Sequence, residues 1–297
     1  MKKIIIVIFI LTSICCKNIF AQHNNLAKKL EDLNLAGDIK TIRIKETAVK
    51  GPKYSLIRKH IISDVEYKVV LNDKVLPIKH IEFGIVCNYR YNELWQLVEA
   101  ENKYLDKYNV SAGKKVYHFD SKGTLKYELD YNKNGFLKDS IAVSYNNNTV
   151  IRTFYTAQKE FFKREEITYN EQGKELINIQ EIGGSRTRIA NEYDSTGSNK
   201  VLEKWYLENR LIQTIKYNYD ERGFLISSQT FDERGAEGGI THFEYDLITG
   251  LITSIKTEMS TTIFDYNFDV NDNWIVKYEY YNDYPVKVIE REIVYKE

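Results

Sequence analysis

Apolar and polar residues alternate along much of the chain, in short segments separated by turn-like sequences. Between residues 125 and 131, Leu and Tyr side chains alternate with Lys126, Glu128 and Asp130, and residues 274–280 alternate in the same way. A period of two places successive side chains on opposite faces of a strand. The pattern predicts strands whose tyrosine-bearing face packs inward and whose charged face is solvated.

The segments between the predicted strands share a motif. An aromatic residue followed by Asp or Asn, with Gly four positions after the aromatic, occurs six times. Asp or Asn at the first position favours a type I turn, and Gly can adopt the positive φ that closes a hairpin with a bulge. The predicted structural turn residues are Asp120 and Gly123, Asn132 and Gly135, Asn170 and Gly173, Asp194 and Gly197, Asp220 and Gly223, and Asp232 and Gly235.

The spacing of the motif indicates a repeat. Strict and looser copies begin at residues 119, 145, 169, 193, 219, 245 and 268, in steps of 23 to 26, and further copies fall halfway between some of them. A unit of about 12 residues, one strand plus one turn, makes an antiparallel meander. We therefore predict an all-β repeat array of about 18 to 20 strands in an elongated, curled sheet, with a closed barrel as the alternative.

The stretches YNYDERGFL (217–225) and FEYDLITGL (243–251) resemble the YD-repeat, or Rhs-like, family. The resemblance covers residues 116–297 best and implies a long antiparallel β array. The chain looks like a small exported member of the Bacteroidota type, without a toxin module at its C-terminus. Such a resemblance carries fold and not activity.

The first third of the chain is less regular. Leu26, Leu30 and Leu33 have helical spacing, so a short helix is expected there. Residues 39–48 and 81–91 each predict a strand, and residues 94–108 suit a short helix or a pair of strands equally well. We predict one domain over residues 22–297, irregular over 22–115 and regular over 116–297.

Residues 1–21 have the layout of a secretory signal peptide, with Lys2 and Lys3, an apolar run over 4–11 and Ala21 as the cleavage position. An uncleaved membrane anchor is the alternative. Removal of this segment leaves 39 basic and 42 acidic residues, so the mature chain lacks the excess of positive charge that is typical of nucleic-acid-binding proteins. The prediction is an exported protein in the periplasm, at the cell surface or outside the cell, with no membrane span in the mature chain.

Two stretches could bind a cation through oxygen ligands. Asp130, Asn132, Asn134 and Gly135 resemble the start of an EF-hand loop, but Ile141 stands where the loop needs a bidentate Glu. Residues 269–273 also hold four oxygen-bearing side chains. Hairpin turns explain both stretches, and we predict no metal site.

No catalytic constellation is visible. The five histidines are scattered, and Cys87, on the apolar side of its predicted strand, is interpreted as a buried small side chain. We therefore predict a protein that is not an enzyme and uses no cofactor. Strands at the two ends of the array would leave free edges for a partner strand.

The densest aromatic group is the candidate binding site, formed by Tyr278, Tyr280, Tyr281 and Tyr284. The leading functional interpretation is an exported protein that presents an extended β surface to an unknown protein or glycan. The alternative is a carbohydrate-binding module that uses exposed tyrosines.

Overall fold

The computed structural model describes residues 35, 39–48, 65–71, 76–82, 85–104 and 111–296. The predicted signal peptide, residues 1–21, and the predicted helix around residues 26–33 lie outside them. The described residues contain strands and turns and no helix, so the prediction of an all-β, antiparallel fold is confirmed. Within this part of the chain no helix has the length and apolar character needed to cross a membrane.

The described residues form twenty strands, numbered in chain order. They are β1 Ile39–Ala48, β2 Val65–Leu71, β3 Pro77–Glu82, β4 Ile85–Tyr91, β5 Leu97–Tyr104, β6 Ser111–Phe119, β7 Leu125–Tyr131, β8 Leu137–Asn146, β9 Thr149–Thr156, β10 Phe161–Tyr169, β11 Glu175–Ile182, β12 Ser185–Tyr193, β13 Lys200–Leu207, β14 Arg210–Tyr219, β15 Leu225–Asp232, β16 Glu237–Tyr245, β17 Ile252–Thr257, β18 Thr261–Phe268, β19 Trp274–Tyr281 and β20 Tyr284–Tyr295.

The chain divides into two compact units. Unit 1 contains the described residues up to Ser140, together with Asp265–Tyr278 and the residues from Pro285 onward. Unit 2 contains Ile141–Phe264 and Glu279–Tyr284.

In unit 1 the first and last strands pair with each other. β1 is antiparallel to β2 on one side and to β20 on the other, with Ile42 opposite both Val69 and Ile293. Ile42 and Val69 are 0% exposed and belong to an apolar core with Ile39, Ile44 and Leu71. The predicted open array with free end strands is therefore wrong, because β1 and β20 satisfy each other's edge hydrogen bonds. The pairing agrees with the closed alternative.

The alternating segment 81–91 is two strands and not one. β3 and β4 are antiparallel neighbours, with His80 opposite Cys87 and Ile81 opposite Val86. Ile81 therefore shares the face of Val86 and not that of Cys87, so the alternating set changes faces at the reversal although its period of two continues. Periodicity alone could not reveal this reversal. The ambiguous segment 94–108 contributes β5, which pairs with β4 and β6.

In unit 2 strands β9 to β18 form successive antiparallel pairs, each with its neighbour in sequence. Several pairs carry a register shift next to the motif turn, as between Asn218 and Tyr219. Such an irregularity is the expected consequence of a turn that closes with a bulge.

Strand β7 has a buried side chain on each face, since Leu125 is 0% exposed on the predicted apolar face and Glu128 is buried on the other. Glu128 is 4% exposed, whereas Tyr127 is 55% exposed. Glu128 lies opposite Tyr117, which is also buried, and Lys115 pairs with Asp130 at 3.8 Å on the same face. The prediction that the charged side of this strand is solvated is wrong, because cross-strand pairing lets charged groups occupy the covered face.

Candidate functional site

The motif turns share one hydrogen-bonded geometry. In the turn after β14, the Oδ1 atom of Asp220 accepts the backbone N–H groups of Arg222 at 3.0 Å and Phe224 at 2.9 Å. Asp120, Asn132, Asp194 and Asp232 accept the equivalent pair of N–H groups, and Asn170 accepts that of Lys174. The six motif glycines have φ values between 74° and 83°. Each motif therefore closes a hairpin with its own side chain.

These hydrogen bonds also fix the charge state of the turn carboxylates. The backbone N–H of Thr124 lowers the pKa of Asp120, and that of Phe224 lowers the pKa of Asp220. The Thr196 hydroxyl does the same for Asp194. Hydrogen bonds to a carboxylate favour its ionised form. These acids are anionic turn components, poorly suited to donate a proton.

The motif tyrosine links one repeat to the previous one. The Tyr193 hydroxyl donates to the carbonyl oxygen of Glu175 at 2.9 Å, and the Tyr219 hydroxyl donates to that of Lys200 at 3.0 Å. Burial raises the pKa of both tyrosines. Since each tyrosine reaches the strand that follows the preceding motif turn, the 24- to 26-residue spacing is a packing requirement.

In the first candidate cation loop, the oxygen groups of Asn132 and Asp130 already form hydrogen bonds and ion pairs within the protein. The Oδ1 atom of Asn132 accepts the N–H groups of Asn134 and Phe136. Asp130 lies 3.8 Å from both Lys115 and Lys138. A hairpin with ion pairs describes this loop.

The second candidate loop is likewise closed. The carboxylate of Asp269 accepts the N–H groups of Asn271 and Asn273 and the hydroxyl of Tyr295, while the fully buried Asn273 amide donates to the same hydroxyl at 2.7 Å. Within the described ranges no group of three or more His, Cys, Asp and Glu side chains is arranged to hold a metal ion.

Cys87 lies between His80 on β3 and Asn102 on β5 as their direct cross-strand neighbour. Burial raises the pKa of its thiol. A neutral thiol is a weak nucleophile, so the neighbouring histidine does not by itself make a reactive centre.

The four candidate binding tyrosines differ in exposure. Tyr278, in unit 1, and Tyr280, in unit 2, are half-buried. Tyr281 is 45% exposed and Tyr284 47% exposed, and they flank a two-residue turn in which Asn282 and Asp283 have φ values of 48° and 67°. Two consecutive positive φ values are typical of a type I′ hairpin. Tyr281 and Tyr284 are thus exposed at a hairpin tip.

Unit 2 contains a solvent-open groove that the sequence reasoning missed. It lies where β14, β15 and β16 meet and is lined by Ile212, Gln213, Thr230, Phe231, Asp232, Ala236, Glu237 and Gly238. Strand β15 passes so close to residue 238 that only glycine fits there, because a Cβ atom at Gly238 would lie 2.5 Å from Oγ1 of Thr230. The glycines of the segment 235–239 were the sequence feature that could have indicated this groove, because glycine inside a strand often marks a bulge or a close approach of another backbone.

A row of cross-strand neighbours crosses β13, β14 and β15; its members on β14 and β15 line the groove, and its member on β13 adjoins them outside the lining. Trp205 lies opposite Gln213, and Gln213 lies opposite Asp232, so the three side chains share one face of the sheet. Trp205 is 37% exposed. We call these three residues the Trp–Gln–Asp row. Aromatic, amide and carboxylate groups in one row supply both an apolar platform and hydrogen-bonding groups.

The charges around the groove are partly paired. Arg210 forms an ion pair with Glu233, and the ammonium group of Lys216 lies 4.6 Å from the centre of the Phe231 ring. Within the described part of the chain, the Gln213 amide and the Glu237 carboxylate form no side-chain hydrogen bond or ion pair. The Oδ1 atom of Asp232 already accepts the backbone N–H groups of Arg234 and Ala236 in the β15–β16 turn. The groove therefore offers free hydrogen-bonding groups beside exposed apolar surface.

No protein-family model matches the chain, and no curated protein matches it. Among solved structures the chain is similar to a porin-like protein from Bacteroides uniformis, with 12% identity, 88% of this chain and 99% of that chain covered, and a TM-score of 0.42. A porin-like protein from Bacteroides vulgatus has 11% identity, with 85% of this chain and 97% of that chain covered and a TM-score of 0.26.

The structure of TcdB2-TccC3-Cdc42 has 11% identity and a TM-score of 0.29, with 72% of this chain covered. The chain spans 15% of that protein's length. These TM-scores are too low to carry a family or a function to this chain. The YD-repeat resemblance remains a prediction from the motif residues.

Proposed function

We propose that this chain is an exported, non-catalytic binding protein of the YD-repeat type, which presents an extended β surface and holds its ligand at the groove of unit 2. The observation that carries the proposal is the Trp–Gln–Asp row, where an exposed indole, an amide and a carboxylate lie side by side. An open site with few convergent polar groups and aromatic surface suits binding.

The rest of the site is consistent with binding. The groove contains two acids, Asp232 and Glu237, but it is open to solvent, and Asp232 is engaged by the N–H groups of Arg234 and Ala236. An acid pair for catalysis needs one member in a desolvated setting that raises its pKa. Export is supported by the basic, apolar and small residues of segment 1–21.

The experiment compares two variants at the same position of the motif turn. Ala236→Phe fills the groove with the residue that Phe136 and Phe224 place at this position, so the turn should tolerate it. Thr124→Phe makes the same change in the turn after β6, in unit 1. Immobilised protein is incubated separately with envelope polysaccharide and with envelope protein.

We expect wild type and Thr124→Phe to retain the same component and Ala236→Phe to retain roughly tenfold less, since a blocked site loses its central contacts. Equal retention by Ala236→Phe would contradict the proposal, as would no retention by wild type. Cell fractionation tests export separately, and a cytoplasmic chain that keeps Met1 would contradict it.

A second candidate function is carbohydrate binding through the hairpin tip of β19 and β20. The exposure of Tyr281 and Tyr284, 45% and 47%, favours it. Alanine substitution of both residues should then abolish glycan binding, whereas Ala236→Phe should leave it unchanged.

A further inference from the structure

We infer that the groove of unit 2 takes a saccharide, with the Trp–Gln–Asp row as its recognition element. This inference rests on the proposed binding function and specifies the ligand class of the same site. It differs from the tyrosine-tip alternative in both location and residues.

The indole of Trp205 is held in place before any ligand arrives. Its Nε1–H donates to Oε1 of Glu203 at 2.6 Å, and Glu203 is 8% exposed. A ring fixed by a buried partner loses little conformational freedom on binding. Saccharide rings present apolar C–H faces, and a fixed, partly exposed aromatic ring is the surface on which they stack.

The spacing of the row fits an extended ligand. Direct cross-strand neighbours have Cβ atoms about 5 Å apart, so the Cβ atoms of Trp205 and Asp232 are about 10 Å apart, with that of Gln213 between them. This span exceeds one sugar ring. Gln213 offers two N–H donors and one acceptor, and Asp232 offers acceptors, a combination that matches vicinal hydroxyl groups, which both donate and accept.

The groups of the row favour a neutral or weakly charged ligand. Arg210 is paired with Glu233, and Lys216 lies against Phe231, whose side chain projects from the opposite face of β15 to that of Asp232. The indole is apolar and the Gln213 amide is uncharged, so saccharide hydroxyl groups can satisfy the amide and the Asp232 carboxylate without a charged partner.

The test is a glycan array of neutral hexose, N-acetylhexosamine and uronic-acid oligosaccharides, probed with wild type, Trp205→Ala, Gln213→Ala and Asp232→Asn. Asp232→Asn keeps the turn, because Asn132 and Asn170 occupy the same motif position. Asp220→Asn is its matched control in the turn after β14. We expect binding to at least one saccharide class, reduced roughly tenfold or more in the three row variants and unchanged in Asp220→Asn.

Four outcomes would overturn the inference. Array binding lost with Tyr281→Ala but not with Trp205→Ala would move the site to the hairpin tip. Binding that disappears between about 0.05 and 0.5 M salt would indicate a ligand held by charge. Silence across the array, with a protein still captured in an Ala236→Phe-sensitive manner, would refute the saccharide and leave the proposed binding function standing. Loss of all groove-dependent capture would refute both.

Discussion

The covered face around β1 is apolar, whereas the covered face of β9 and β10 combines the buried apolar pair Val150 and Ile167 with charged side chains. In unit 1, β1 meets β2 and β20 through a dry apolar core in which Ile42 and Val69 are 0% exposed. In unit 2, the covered face of β9 and β10 carries the ion pair of Arg152 and Glu165, whose side chains are 6% and 12% exposed. Register places both residues directly opposite each other.

The irregular and regular parts of the sequence therefore stabilise the sheet through different kinds of contact. The irregular part of the sequence supplies the apolar contacts that join the first and last strands. The regular part is held by turn side chains, tyrosine hydroxyls and cross-strand pairs, so its stability depends less on a continuous apolar face. Strand positions in unit 2 can therefore carry amides, acids and exposed rings, and this is where the groove occurs.

Ile42→Ala should produce the largest loss of stability. A fully buried side chain is removed from the core that joins β1 to β2 and β20, and we expect about 3 to 4 kcal/mol of lost unfolding free energy. The matched control is Ile177→Ala on β11, where truncation of a half-buried side chain should lower the unfolding free energy by about 1 kcal/mol. Urea denaturation followed by circular dichroism measures both. Equal losses would remove the contrast between the two regions.

Arg152→Ala should cost about 2 kcal/mol, because it leaves Glu165 on a covered face with only the 3.7 Å contact to Lys163 and the amide of Gln180. The double variant Arg152→Met/Glu165→Leu should recover most of this loss, since well-packed apolar residues can replace a buried pair. A double variant no more stable than Arg152→Ala would show that the pair is indispensable.

Gly223→Ala tests the turns. Its φ of 83° is a left-handed conformation that alanine adopts poorly, and we expect a loss of about 1 to 2 kcal/mol. Gly239→Ala is the control, since a Cβ atom there meets nothing within 4 Å and its backbone is not left-handed. Thermal unfolding of both proteins gives the comparison. A Gly223→Ala protein as stable as the control would refute the strained-turn account.

The strands and turns of the regular region could be predicted from sequence, because Asp or Asn, Gly and period-two alternation act locally. Two properties could not. The burial of Glu128 on β7 depends on its register against Tyr117, and the pairing of β1 with β20 depends on residues about 250 apart. The Trp–Gln–Asp row is likewise a property of register, since Trp205, Gln213 and Asp232 are dispersed in the sequence.

Tyr219→Phe should have the smallest of these effects, about 1 kcal/mol, because it removes one hydroxyl donor to the carbonyl of Lys200. Tyr127→Phe is the control at a tyrosine that is 55% exposed, where we expect no measurable change. Denaturant midpoints distinguish the two. Identical midpoints would mean that the hydroxyl link between repeats contributes nothing.

The most direct test of the binding account is the indole ¹⁵N–¹H spectrum of the three tryptophans, Trp95, Trp205 and Trp274, during titration with neutral hexose and N-acetylhexosamine oligosaccharides. The account predicts that the Trp205 resonance shifts saturably while those of Trp95 and Trp274 stay fixed, and that Ala236→Phe abolishes the shift. A Trp205 resonance that stays fixed while another indole responds, or a shift that survives Ala236→Phe, would contradict it.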